Sequence, residues 1–175
     1  LEEVRHIEQK NLAFELLQKL LNDEIKSRSR RNIVEARKFS DMLQQAVVQY
    51  QKRAISSAEV IQELINLAHD IKQARQRGEE LKMNEDELAF YDALAQNQSA
   101  REVMGDEQLR IIAQALLDKV KKNVSIDWSL REAARARIRV MVKRILRQFG
   151  YPPDLERAAT ELVLEQTEVL CEEWV

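Results

Sequence analysis

The sequence predicts an all-α fold: a single multi-helix domain of about seven helices, with a long N-terminal helical arm as an option. Three observations carry that reading. Among 175 residues there are only three glycines and two prolines, and Glu, Gln, Arg, Lys, Leu and Ala are plentiful. Apolar residues recur at three- and four-residue spacing along nearly the whole chain. No stretch alternates with period two over a useful length, and no repeat recurs at solenoid spacing.

The first segment, residues 1–26, carries Ala13, Leu16, Leu17, Leu20 and Leu21 on one side. Asn32 with Glu35 can cap a fresh helix, which places a break near Ser29; one continuous helix is the alternative. The second helix runs to about Arg53, with Phe39, Leu43, Ala46, Val47 and Tyr50 facing in. Ser56 and Glu59 form a capping-box pair that opens a third helix, striped by Val60, Leu64, Leu67, Ala68 and Ile71 and fading before Gly78. The polar tract 78–87 is the best internal boundary. It divides an N-terminal part, residues 1–77, from a C-terminal part, residues 78–175, within what reads as one compact unit.

Asn84 caps the fourth helix, which groups Leu88, Tyr91 and Leu94. The stretch NQSAREVMGD reads as a connection, with Gly105 in a turn and Asp106 as the next cap. Leu109, Ile112, Ala113, Leu116 and Val120 define the fifth helix. Residues 127–149 are the sixth, with Asp127, or Ser129 and Glu132 as a box, at its start and Gly150 at its end. Its apolar stripe is Leu130, Ala134, Ile138, Met141, Ile145 and Phe149. The seventh helix follows Gly150-Tyr151-Pro152-Pro153. Proline is tolerated in its first turn, where Asp154 and Glu156 suit the positive end, and Leu155, Ala159, Leu162, Val169 and Leu170 face in.

Charge is nearly balanced overall, at −2, which argues against a protein that binds nucleic acid with its whole surface. Locally it is segregated: residues 119–147 hold ten cations and two acids, and residues 154–175 seven acids and one cation. Cys171 is the sole cysteine, so no internal disulfide forms and a reducing cytoplasm fits. It reads as a small buried hydrophobe rather than a nucleophile. No apolar run approaches the ~20 residues of a membrane helix, and no signal peptide is evident. The chain opens at Leu1 and is already helix-like there, so it reads as a piece of a longer protein.

Catalytic chemistry is not indicated. There is no phosphate-cradling GxxxxGK, no HExxH and no second cysteine for zinc. His6 and His69 are isolated, and Asp70 beside His69 does not face it on a helix. Glu85, Asp86, Glu87 and Asp92 lack the spacing of a calcium loop and read as a solvated helix start. Glu161, Glu165, Glu168 and Glu172 lack the histidine partners of a carboxylate-bridged metal site; they read as a solvated face or as partners for the basic helix. No catalytic, cofactor or metal residue is assigned.

The basic helix carries the candidate site: Arg131, Arg135, Arg137, Arg139, Lys143, Arg144 and Arg147. Five of these recur every four residues and so drift across the face away from the apolar stripe. Three readings stay open. The cations pair with the acidic helix that follows, they dock on another protein, or they contact phosphates.

The segments NLAFELLQKLLNDEIKSRSRRNIVEARKFSDML, YQKRAISSAEVIQELI, ELAFYDAL, VMGDEQLRIIAQAL and above all NVSIDW through GYPPD resemble the C-terminal helical region of the restriction (motor) subunit of type I restriction-modification enzymes. The similarity covers nearly the whole chain. It implies a large parent with an N-terminal nuclease and two RecA-like motor domains that use ATP and Mg. It also implies that this region holds the motor onto the methyltransferase core of modification (M) and specificity (S) subunits. Direct contact with DNA is the alternative. No Walker lysine, helicase box or nuclease signature lies here, so none of the family's catalytic residues maps onto this chain. The chain alone is expected to be no enzyme, to bind no cofactor and to meet no membrane.

Overall fold

The computed structural model describes residues 9–125 and 127–174. Among them are eight α-helices, one 3-10 turn and no strand. The helices are α1 (Lys10–Ser29), α2 (Ile33–Gln51), α3 (Ser57–Glu80), α4 (Glu85–Ala95), α5 (Gln98–Met104), α6 (Asp106–Asn123), α7 (Glu132–Gln148) and α8 (Glu156–Trp174), with the 3-10 turn Trp128–Leu130 before α7. None is long and apolar enough to cross a membrane. The helix beyond the expected seven is α5. Asn97 accepts from the Ser99 amide and so caps a turn within what reads as a connection in the sequence.

The chain divides into two compact units: Leu1–Ser29 with Glu35–Lys82, and Arg30–Val34 with Met83–Val175. The boundary expected between residues 77 and 78 falls inside α3, which runs through Gly78 to Glu80.

α1 and α2 break where expected, at the turn after Ser29, and the first unit holds α1, α3 and most of α2. The core joins Ala13, Leu17, Leu21 and Ile25 of α1 to Phe39 and Leu43 of α2 and to Val60, Leu64, Ile65 and Ile71 of α3. Leu16 and Leu20, expected on the inner face of α1, are exposed. Spacing of four from Ala13 through Ile25 makes one narrow stripe, and these two leucines lie outside it. The Ser56–Glu59 capping box is present, with the Glu59 amide donating to Ser56 Oγ at 3.2 Å and the Ser56 amide to Glu59 Oε2 at 2.6 Å. The Ser56 amide, and after it the Ser56 hydroxyl, hold the Glu59 carboxyl below the usual carboxylate range. Glu35 is buried and receives the guanidinium groups of Arg28 and Arg77, the latter at 2.9 Å.

The second unit is built around α4. Every residue from Leu88 to Ala95 is buried, because α6 and α8 both pack on this short helix. Asn84 caps it by accepting from the Glu87 amide at 2.8 Å. Asp92, expected at a solvated helix start, is buried and accepts from the Asn32 side chain at 2.7 Å. Gln166 of α8 donates to the Arg31 carbonyl at 2.7 Å and accepts from the Ile33 amide at 2.9 Å, so residues 31–33 are pinned by their backbone.

Two expected helix starts shift in this unit. Gly105, at φ +78°, is the N-cap of α6. Asp106, expected to be that cap, is the first helical residue and accepts from the Tyr91 hydroxyl at 2.7 Å. Pro152 and Pro153 precede α8 instead of sitting in its first turn. The corner they make is fixed by Tyr151, whose buried hydroxyl donates to the Leu94 carbonyl at 2.7 Å. On α8 the fully inward face is Ala159, Thr160, Val163, Leu164, Gln166, Thr167, Leu170 and Cys171. Leu155, Leu162 and Val169, expected to face in, are half-buried at its edges.

Candidate functional site

The basic helix α7 begins at Glu132, five residues later than expected. Arg131 takes the N-cap position, and no side chain caps the helix; the expected box partner, the Ser129 side chain, lies outside what is described. Residues 128–130 instead form the 3-10 turn, which drives Trp128 into the core. That shift takes Leu130 out of helical register, so the residue expected to open the buried stripe is 87% exposed. The fully buried face of α7 is Ile138, Val142, Ile145 and Leu146. Ala134, Met141 and Phe149 are half-buried.

The cations of α7 divide into two sets. Arg135 pairs with Glu168, and its guanidinium carbon also lies 5.9 Å from the centre of the Trp128 ring. Arg139 donates its Nε–H to Glu161 Oε1 at 2.8 Å, and Arg147 donates its Nε–H to both Glu156 oxygens at 3.1 and 3.2 Å. All three acids belong to α8, so one edge of α7 is laced to its neighbour. Hydrogen bonding from Arg139, with the nearby charges of Arg139, Arg135 and Lys143, holds the Glu161 carboxyl below the usual range against the opposing effect of its burial. Arg139 is raised in turn by the Glu161 hydrogen bond. Arg131 pairs one turn back with Asp127 at 2.7 Å.

Lys143 lies half-buried between Arg139 and Arg147, its charge near Glu161, and makes no ion pair among the described residues; Arg137 and Arg144 form the other set. Both are exposed, and neither has an ion-pair partner among the described residues. At about 100° per residue they fall on the edge of α7 away from Arg135 and Arg139. Val140 lies almost diametrically opposite the buried residues and is 54% exposed. Ala136 and Ala133 are exposed one and two turns before it.

Sequence reasoning missed Val140. The signal was present: a residue two places from both Ile138 and Val142 must point away from them on a helix. It also left open which cations are engaged, since pairing with α8 depends on a tertiary contact. His69 is exposed, and His6 lies outside the described residues. Cys171 is buried beside Trp128 and its thiol is pushed up, chiefly by burial. Asp86 accepts from the Trp174 indole at 3.0 Å, with Lys121 5.2 Å over that ring.

Three comparisons bear on this geometry. The family model described as Type I restriction enzyme HindI endonuclease subunit-like, C-terminal, matches residues 1–173. The chain is 37% identical over 173 residues to the Type I restriction enzyme HindI endonuclease subunit of Haemophilus influenzae, which covers 99% of the chain and 16% of that protein. It is 33% identical over 151 residues to the Putative type I restriction enzyme MjaIXP endonuclease subunit of Methanocaldococcus jannaschii, covering 86% of the chain and 14% of that protein. The chain therefore spans less than a fifth of the length of these relatives. No solved structure matches it.

Proposed function

The chain belongs to the family of C-terminal regions of HindI-like type I restriction endonuclease subunits, and from that membership we propose that it is the subunit's assembly module. It holds an ATP-dependent translocase and endonuclease on the methyltransferase and specificity subunits of the same complex. ATP and Mg belong to other parts of that subunit. The chain by itself neither hydrolyses ATP nor cuts DNA, and it works in the cytoplasm.

One observation carries this reading over a phosphate-binding one. Arg135, Arg139 and Arg147 are committed to Glu168, Glu161 and Glu156 inside their own unit. A helix that tracks DNA gains its affinity by neutralising phosphates and releasing their counterions. Cations already neutralised by carboxylates contribute little to that. The charge of α7 therefore serves mainly to set its orientation against α8, and that leaves a presented face with an apolar middle.

A second reading keeps direct DNA contact, because Arg131, Arg137 and Arg144 are exposed guanidinium groups. The two readings separate in one experiment. The intact subunit, and a version lacking these 175 residues, are titrated with the methyltransferase–specificity core in the absence of DNA. Loss of core binding on deletion supports the assembly reading. Retained core binding, with a salt-dependent loss of DNA binding whose log–log slope is about −0.9 per phosphate contact, supports the other.

A further inference from the structure

The outer face of α7 has the spacing of a helix that seats in a protein groove. Ala133, Ala136, Arg137, Val140 and Arg144 stand at i, i+3, i+4, i+7 and i+11, the pattern by which a single helix face anchors in a cleft. All five are exposed. A lone exposed valine is ordinary on a protein surface. What distinguishes this face is the order of its parts. Its centre is Val140 with two alanines, small enough to let another surface approach the backbone closely. Its edge toward α8 is closed off by paired cations: Arg139 with Glu161 and Arg147 with Glu156. Its far edge carries Arg137 and Arg144, which make no ion pair among the described residues.

We propose that this face is the docking surface of the module, and that its occupant is a protein surface with an apolar cleft lined by carboxylates along one rim. The inference rests on the assembly reading above and adds to it the surface and the chemistry of the partner. The charge pattern selects the occupant. A nucleic-acid surface would place phosphates over the middle of the face, where Val140 stands and where the cation two turns on, Arg147, is already paired with Glu156. A protein interface takes an apolar centre with arginines at its margin, since arginine spans apolar contact and charge-assisted hydrogen bonding. Carboxylates on the partner would face Arg137 and Arg144, because Arg139 and Arg147 on the opposite edge already have theirs and Lys143 there is half-buried with its charge near Glu161.

The test is the double substitution Arg137→Glu with Arg144→Glu in the intact subunit, titrated with the methyltransferase–specificity core without DNA. The expected result is a rise in Kd of about tenfold or more, since like charges then face each other across the rim. The same protein should keep its thermal midpoint, because neither arginine has a partner to lose. Val140→Asn is the second variant, expected to weaken core binding while leaving the salt dependence of the complex unchanged. Wild-type affinity in both variants overturns this surface and leaves the assembly reading standing. Failure of the wild-type subunit to bind the core overturns the assembly reading itself. A loss of DNA affinity with core affinity intact assigns the two arginines to phosphates and overturns the inference.

Discussion

Arg139 donates its Nε–H to Glu161 Oε1 at 2.8 Å, joining α7 to α8 at the middle of the basic helix. Each group holds the other in its charged form: the arginine is raised, and the carboxyl is lowered mainly by that hydrogen bond. A carboxyl that is lower in the fold than in the unfolded chain contributes stability above its unfolded value, near 4.5. That contribution is lost as pH falls through the depressed folded value. Both side chains reach solvent, so the effect is screened and falls with salt. Glu161→Gln is expected to flatten the acid limb of stability below pH 4.5 relative to wild type. Denaturant midpoints followed against pH, at low and high salt, check this.

Arg135→Ala with Arg139→Ala is expected to act on stability before it acts on any partner. Both side chains bridge α7 to α8, to Glu168 and Glu161. The double variant should lower the thermal midpoint, and the slope of DNA binding against salt should stay at its wild-type value. A salt slope flattened by about two units would show that these arginines meet phosphates.

Gln166 is buried in the second unit and satisfies the Arg31 carbonyl and the Ile33 amide together. Gln166→Leu keeps most of the volume and leaves both backbone groups without this partner. Each buried orphan costs about 1–3 kcal/mol. Chemical denaturation should register a loss in that range, and amide exchange at Ile33 should rise with it.

Tyr151 offers a pH dependence at the alkaline end. Its phenol is buried and pushed up from 10.0 to about 12 by that burial. The neutral form is the one the fold accepts, with the hydroxyl donating to the Leu94 carbonyl. Stability should be unaffected below pH 10 and decline from there toward about 12. Tyr151→Phe should remove that decline, which a series of alkaline unfolding curves would detect.

Much of the fold was legible because most helices announce themselves locally. The Ser56–Glu59 box, the Asn84 cap and the stripe from Leu109 to Val120 are short-range signals, and each element forms where they place it. The departures come from tertiary contacts that a local pattern cannot carry. Trp128 is pulled into the core, so residues 128–130 turn as 3-10 and Leu130 goes outward. Asp92 is buried because Asn32, sixty residues away, donates to it. The candidate site follows the same division. The basic stripe on α7 was plain in the spacing of its cations, whereas their sorting into paired and unpaired sets depends on where Glu156, Glu161 and Glu168 stand on α8.

Hydrogen–deuterium exchange of the intact subunit, with and without the methyltransferase–specificity core and with no DNA present, tests the assembly role most directly. Exchange along residues 130–148 should slow when the core is added, with no such change on adding DNA alone. Protection of that stretch by DNA alone, or an unchanged profile across the whole chain on adding the core, would contradict it.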